Sequence, residues 1–314
     1  MNAWKVEINA GRNENNPKAA LDALRLYGGD IRLRDEAGNL LFRQSEDSFY
    51  GSRDAYRTLN AFLIPGIENE FSRIDKEGKQ LKTVFAEQLE ETIRLYCRIF
   101  RLMCLCRDNR KKNGEGIAVE RADRKRDGEE IIAKRVERIS SLAMLKDGHT
   151  HSFFSASMAG FQEEFAQKDG IILLEVHIPP DVPHLDFEKV LGKEYQAIGE
   201  REVLLPPFAA ITVWEEKLLS AERKIRDRNK KPPLGKYRID VDKFPDFLPE
   251  PEGYALAGQM EKEILAERET AINAIKVINQ RKWGQDFSAY CRWKRKLQAY
   301  LRYRFLDMWT DIDD

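Results

Sequence analysis

Hydrophobic and polar positions follow two different periods along this chain, and the change of period divides it. Residues 16–27, NPKAALDALRLY, read as a short helix, and 28–44, GGDIRLRDEAGNLLFRQ, as two strand-like runs around a DEAG turn. From 52 to 107 the period is helical. In LKTVFAEQLEETIRLYCRIFRLMCLC the residues Phe85, Leu89, Ile93, Tyr96, Phe100 and Met103 form a stripe of the kind that a helix turns toward a core. Residues 108–129 are charged and glycine-punctuated, the texture of an exposed loop. Between 130 and 214 the runs shorten: EIIAKRVERI, HTHSFFSAS, GIILLEVHIPP and EREVLLPPFAAITV are apolar segments separated by turn residues, which predicts a compact β-rich core. From 215 the pattern is helical again, with a proline-rich break at 232–251.

The predicted organisation is therefore α+β. An N-terminal helix and hairpin extension covers 1–51, and a central domain covers 52–214, built from a helical lobe (52–107), a charged loop (108–129) and the β core (130–214). A helical C-terminal region covers 215–314.

Composition adds little direction. Of 314 residues, 42% are hydrophobic and 34% charged, enough for a core under a charged surface. Lys plus Arg equals Asp plus Glu at 53 each, so overall charge selects no polyanionic partner and any basic surface is local. No apolar run approaches the roughly 18 to 20 residues of a membrane span, and the N-terminus lacks the apolar centre of a secretory signal. The expectation is a cytoplasmic protein with no membrane partner, export as an effector without a signal peptide being compatible with it. Four cysteines make no disulfide framework at this length, and Cys104 and Cys106 diverge on a helix. His149 and His151 alternate as strand neighbours but lack a third ligand, so no metal is expected.

Candidate chemistry lies in three pieces of the β core: a basic strand (KRVER), a serine-rich strand (SFFSAS) and a double-glutamate strand (EREVLLPPF). On an extended strand Glu200 and Glu202 share a face and can act on one ligand. Alone, that pair reads as a solvated strand end. In this order, the three pieces resemble the arginine, serine and glutamate (R-S-E) signature of the mono-ADP-ribosyltransferase toxins and ectoenzymes. The family's strand of aromatic-Ser-Thr-Ser precedes a Glu-x-Glu element, and the likeness covers roughly residues 130–214.

The resemblance implies an ADP-ribosyltransferase-like mixed β core forming an NAD cleft, with a preceding helical lobe and a helical C-terminal region. The implied activity is that of a glycosyltransferase moving ADP-ribose from NAD, its co-substrate, to a macromolecular acceptor, with protein arginine favoured by the double glutamate. By resemblance Glu202 holds the ribose and stabilises the oxocarbenium-like state, Ser155 fixes Glu202 by a hydrogen bond, and Glu200 meets the incoming nucleophile as a base. Ser155, Ser157 and Glu202 line the NAD site with Arg135, whose planar fork suits a pyrophosphate; Arg138 and Arg121 are its rivals. Ala156 stands where the family favours threonine. Tyr195, in the loop before the glutamates, reads first as a surface tyrosine and second as a candidate substrate contact. Toxin members of this class imply an antitoxin or immunity protein as partner.

Two readings compete for QRKWGQDFSAYCRWKRKLQAYLRYRF (280–305), where cations interleave with Trp283, Tyr290, Trp293, Tyr300 and Tyr303. Such a stripe suits stacking on RNA or DNA as the acceptor. The first reading, however, is an amphipathic helix that packs its aromatics on the catalytic core and keeps its cations wet. Hydrolysis of NAD without an acceptor is the remaining enzymatic alternative.

Overall fold

The structure is a computed structural model, and it describes residues 4–5, 20–21, 23–24, 27, 34–35, 56, 59–60, 62–64, 82–83, 85–111, 130–161, 170–191, 201–222, 232–244, 251–279 and 285–310. The chain forms two compact units. One is continuous, Leu105–Leu248; the other joins Met1–Cys104 to Pro249–Asp314.

In the discontinuous unit β1 (Trp4–Lys5) pairs antiparallel with β2 (Arg34–Asp35). Helix α1 (Leu89–Lys111) begins with Glu90 and Glu91 in its first turn, where carboxylates favour the positive end of the helix dipole. Phe85 and the predicted stripe of Leu89, Ile93, Tyr96, Phe100 and Met103 are all buried.

The continuous unit is a seven-stranded mixed sheet. Its strands are β3 (Ile131–Arg138), β4 (Phe154–Ser157), β5 (Ile171–Ile178), β6 (Leu185–Asp186), β7 (Glu202–Leu205), β8 (Ala210–Glu216) and β9 (Lys236–Lys243), in the order β6-β7-β4-β3-β5-β9-β8. All neighbours are antiparallel except β5 and β9. Short helices α2 (Leu142–Leu145) and α3 (Phe187–Leu191) lie in its connections. One face of the sheet carries the core, with Ala133, Phe154, Ala156, Leu174, Val176, Val203, Leu205, Ile239 and Val241 packed together with Leu142 and Leu145. Burying that alternate set is what fixes the strand registers, because a slip of one residue would turn it to the other face.

Beyond the sheet the chain returns to the discontinuous unit as α4 (Pro251–Ala266), α5 (Arg268–Asn279) and α6 (Gln285–Thr310). Helix α6 packs against α4 and α5, and Phe305 stacks on Phe100 of α1 with centroids 4.6 Å apart. Among the described residues no helix is long and apolar enough to cross a membrane.

The chain is thus a mixed α and β protein, as expected, but its boundaries differ from those predicted. The helical run up to residue 104 closes with the C-terminal helices rather than forming one domain with the β core, because the apolar face of α1 finds a partner in α6. The stretch read as a proline-rich break holds β9, which pairs parallel with β5 inside the sheet. Helix α1 also runs on to Lys111, into the predicted charged loop; residues 112–129 lie outside the described residues.

Candidate functional site

The sheet sets the serine strand between the other two pieces singled out in the sequence. Strand β4 pairs with β7 over Phe154↔Leu205, Ser155↔Leu204, Ala156↔Val203 and Ser157↔Glu202, and with β3 at Lys134↔Ser157. A clasp at the far end holds β7. The Thr150 hydroxyl donates to the Pro206 carbonyl (2.8 Å) and accepts from the Ala209 amide (3.0 Å), while its backbone bonds the Phe208 and Ala209 backbones. Pro206 and Pro207 therefore stand in a turn after β7, where no ladder donor is missed.

Residues directly opposite one another across strands share a face. The registers therefore put Glu202, Ser157, Lys134, Glu175, Arg238 and Trp214 in one row across six strands, on the face opposite the apolar core. Glu202 is half-buried and Ser157 is buried; the Ser157 hydroxyl accepts from the Ala159 amide at 3.2 Å. Lys134 Nζ lies 3.6 Å from Glu175 and 5.1 Å from the centre of the Phe161 ring. Glu175 also meets Lys236 (3.4 Å) and His177 (3.3 Å). Burial pushes the Glu175 carboxyl up, but His177, Lys236 and Lys134 outweigh it and hold it below the ordinary range. Lys236 in turn is bracketed by Glu216 and Glu222, each at 3.1 Å. At the far end Trp214 is 55% exposed, and its indole N–H donates to Asp240 at 2.9 Å.

Arg135 lies on the other face. It stands opposite Leu174, and its guanidinium sits 4.6 Å from the centre of the Phe154 ring; both neighbours belong to the core. Its partners are the Glu137 carboxylate, the Ser155 carbonyl and, at 3.2 Å, the Ser155 hydroxyl. A carbonyl that an unbroken ladder would give to a backbone amide of β3 is thus satisfied by a side chain. Burial pushes the Glu137 carboxyl up, yet Arg135, the Arg138 amide and the Ser141 hydroxyl together hold it below the usual carboxylate range. Arg138 is exposed.

The three predicted pieces are adjacent, but their contacts differ in detail from the expectation. The Ser155 hydroxyl is partnered by Arg135, and it is Ser157 that stands opposite Glu202. An extended run through both glutamates does not hold either. Strand β7 starts at Glu202, and Arg201 before it has φ +42°, a left-handed conformation uncommon for a residue with a side chain. The Arg201 carbonyl accepts from the Met158 amide at 3.0 Å, and its guanidinium lies 3.5 Å from Glu188, so the turn into β7 is anchored on both sides. Glu200, Tyr195 and Arg121 lie outside the described residues.

The polar row was not foreseen from the sequence. In IIAKRVER, cations fall on both alternate sets, so the sequence did not separate Lys134 from Arg135 by face. Alternation in KYRIDVDK, with Tyr237, Ile239 and Val241 buried, was a readable strand signal and would have brought Arg238 into view. Of the two readings of the C-terminal stripe, packing describes the aromatic positions of α6, although Lys294 is buried with them rather than kept wet. Tyr290, Trp293 and Tyr300 are buried, and the Trp293 indole donates to the Ile264 carbonyl of α4 at 3.1 Å, so neighbouring helices cover it. Trp283 lies outside the described residues.

No family model, no characterised protein and no solved structure matches this chain.

Proposed function

We propose that this protein is a mono-ADP-ribosyltransferase that uses NAD as donor and a protein arginine as acceptor. One observation carries the reading: the serine strand lies between a basic strand and a glutamate strand, with Ser157 directly opposite Glu202 and Lys134 next in the row. A carboxylate, a hydroxyl and a cation on one sheet face suit a ribose beside a pyrophosphate. In this reading Glu202 stabilises the positive charge that develops on the ribose as its bond to nicotinamide breaks. Nicotinamide leaves with the bonding electron pair, an acceptor guanidinium nitrogen forms the new bond to the same carbon, and Glu200 takes the proton that nitrogen loses. The ADP-ribosyltransferase fold, with its NAD cleft, is part of the same proposal.

The test is incubation of wild type and Glu202→Gln with labelled NAD and cell lysate, following label into protein with and without nuclease. Wild type is expected to label protein. The variant, which keeps the shape and loses the charge, is expected to be slower by at least about 10²-fold with unchanged thermal unfolding. Full activity in the variant overturns the role of Glu202. Nuclease-sensitive label transfers the acceptor to RNA or DNA, and NAD consumed with no labelled acceptor makes the enzyme a glycohydrolase.

A further inference from the structure

We propose, on the basis of the function just stated, that Lys134 rather than Arg135 supplies the cation for the dinucleotide's pyrophosphate. Three features of the sheet point to it. Lys134 shares the row and face of Ser157 and Glu202, two strands or about 10 Å from Glu202 at the backbone. That spacing lets the flexible lysine stem meet a phosphate while Glu202 meets the ribose of the same molecule. Arg135 is rooted on the opposite face and only the tip of its guanidinium reaches the hydroxyl of Ser155, which lies two residues from Ser157 on the same strand; there it is held by Glu137, by both Ser155 oxygens and against the Phe154 ring. Releasing it would leave the Ser155 carbonyl without its donor and Glu137 without its counter-ion.

Lys134 is differently held. Its side chain is 35% exposed, and its carboxylate neighbour at 3.6 Å, Glu175, retains Lys236 and His177 when the lysine turns away. A diphosphate can therefore take over the Lys134 ammonium without stranding a charge in the sheet. Arg135 becomes a positioning residue, which keeps β4 at its distance from β3 through Ser155.

The experiment is steady-state NAD cleavage by wild type, Lys134→Ala, Lys134→Arg and Glu202→Gln, with inorganic pyrophosphate as a competing probe. Lys134→Ala is expected to raise KM for NAD about tenfold or more with kcat little changed, the scale of one lost charge-assisted contact. It is also expected to weaken inhibition by pyrophosphate, and Lys134→Arg to restore both. A purely structural role for Lys134 would not give this split between KM and kcat at unchanged thermal stability. An unchanged KM in Lys134→Ala overturns the assignment and leaves the proposed activity standing. Wild-type protein that neither cleaves NAD nor responds to Glu202→Gln removes the activity, and this assignment with it.

Discussion

At the scale of single residues, Thr150 and Glu137 hold strands β7, β4 and β3 of the candidate site in shape. Both hydrogen bonds of the Thr150 hydroxyl are buried and reach across 56 and 59 residues of chain. Thr150→Ala leaves a carbonyl and an amide unsatisfied, so a loss of about 1–3 kcal/mol is expected in urea unfolding, with Thr150→Ser retaining most of it. The Glu137 carboxyl is held below its ordinary range by Arg135 and its other donors, against the effect of burial. Its contribution is therefore fully present above the unfolded-chain value of about 4.3 and is lost as pH falls through the lower folded value. Glu137→Gln is expected to cost on the order of 1–3 kcal/mol at pH 7, and the gap between wild type and variant should narrow by pH 3. Urea titrations at the two pH values check this, and a gap that stays constant would mean the carboxylate charge plays no part.

Elements were legible in the sequence where one face is uniformly apolar. The stripe of α1 was readable because each residue in it is apolar and each is buried. Strands β3, β4, β5 and β7 fall inside the four predicted runs, whereas the last run is two strands divided at Pro206 and Pro207, the second of which, β8, continues to Glu216 in the stretch predicted as helical. Strand β9 carries the alternation of a strand with one polar face, but the prolines on both sides of it read as a break in the chain. For the site, the adjacency of the serine and glutamate strands followed from motif order, but which serine stands opposite Glu202, Ser157 rather than Ser155, and the face of each cation depend on register, which pairing partners set. The aromatic stripe of α6 was ambiguous because spacing alone does not tell a packed ring from a stacking platform. Its burial gives a test at this scale. Trp293→Ala is expected to cost about 3–5 kcal/mol of stability, the range for removing a large core aromatic, with the loss read as faster hydrogen exchange in α4 and α6.

On the scale of the whole molecule, the chain holds two units with separate cores, one of helices and one built on the sheet. The sheet unit is an unbroken segment, Leu105–Leu248, whereas the helical unit draws on residues from both sides of it. This arrangement sets an order of events during synthesis. All strands of the sheet precede α4 in the chain, so once β9 has left the ribosome the sheet can close while the chain is still growing, as units of a larger chain commonly do. Helix α1 is made early, yet Phe100 has no Phe305 to stack on until α6 follows. A nascent chain of this protein therefore carries a finished half and a waiting half, and the waiting half is where a chaperone would find exposed apolar surface.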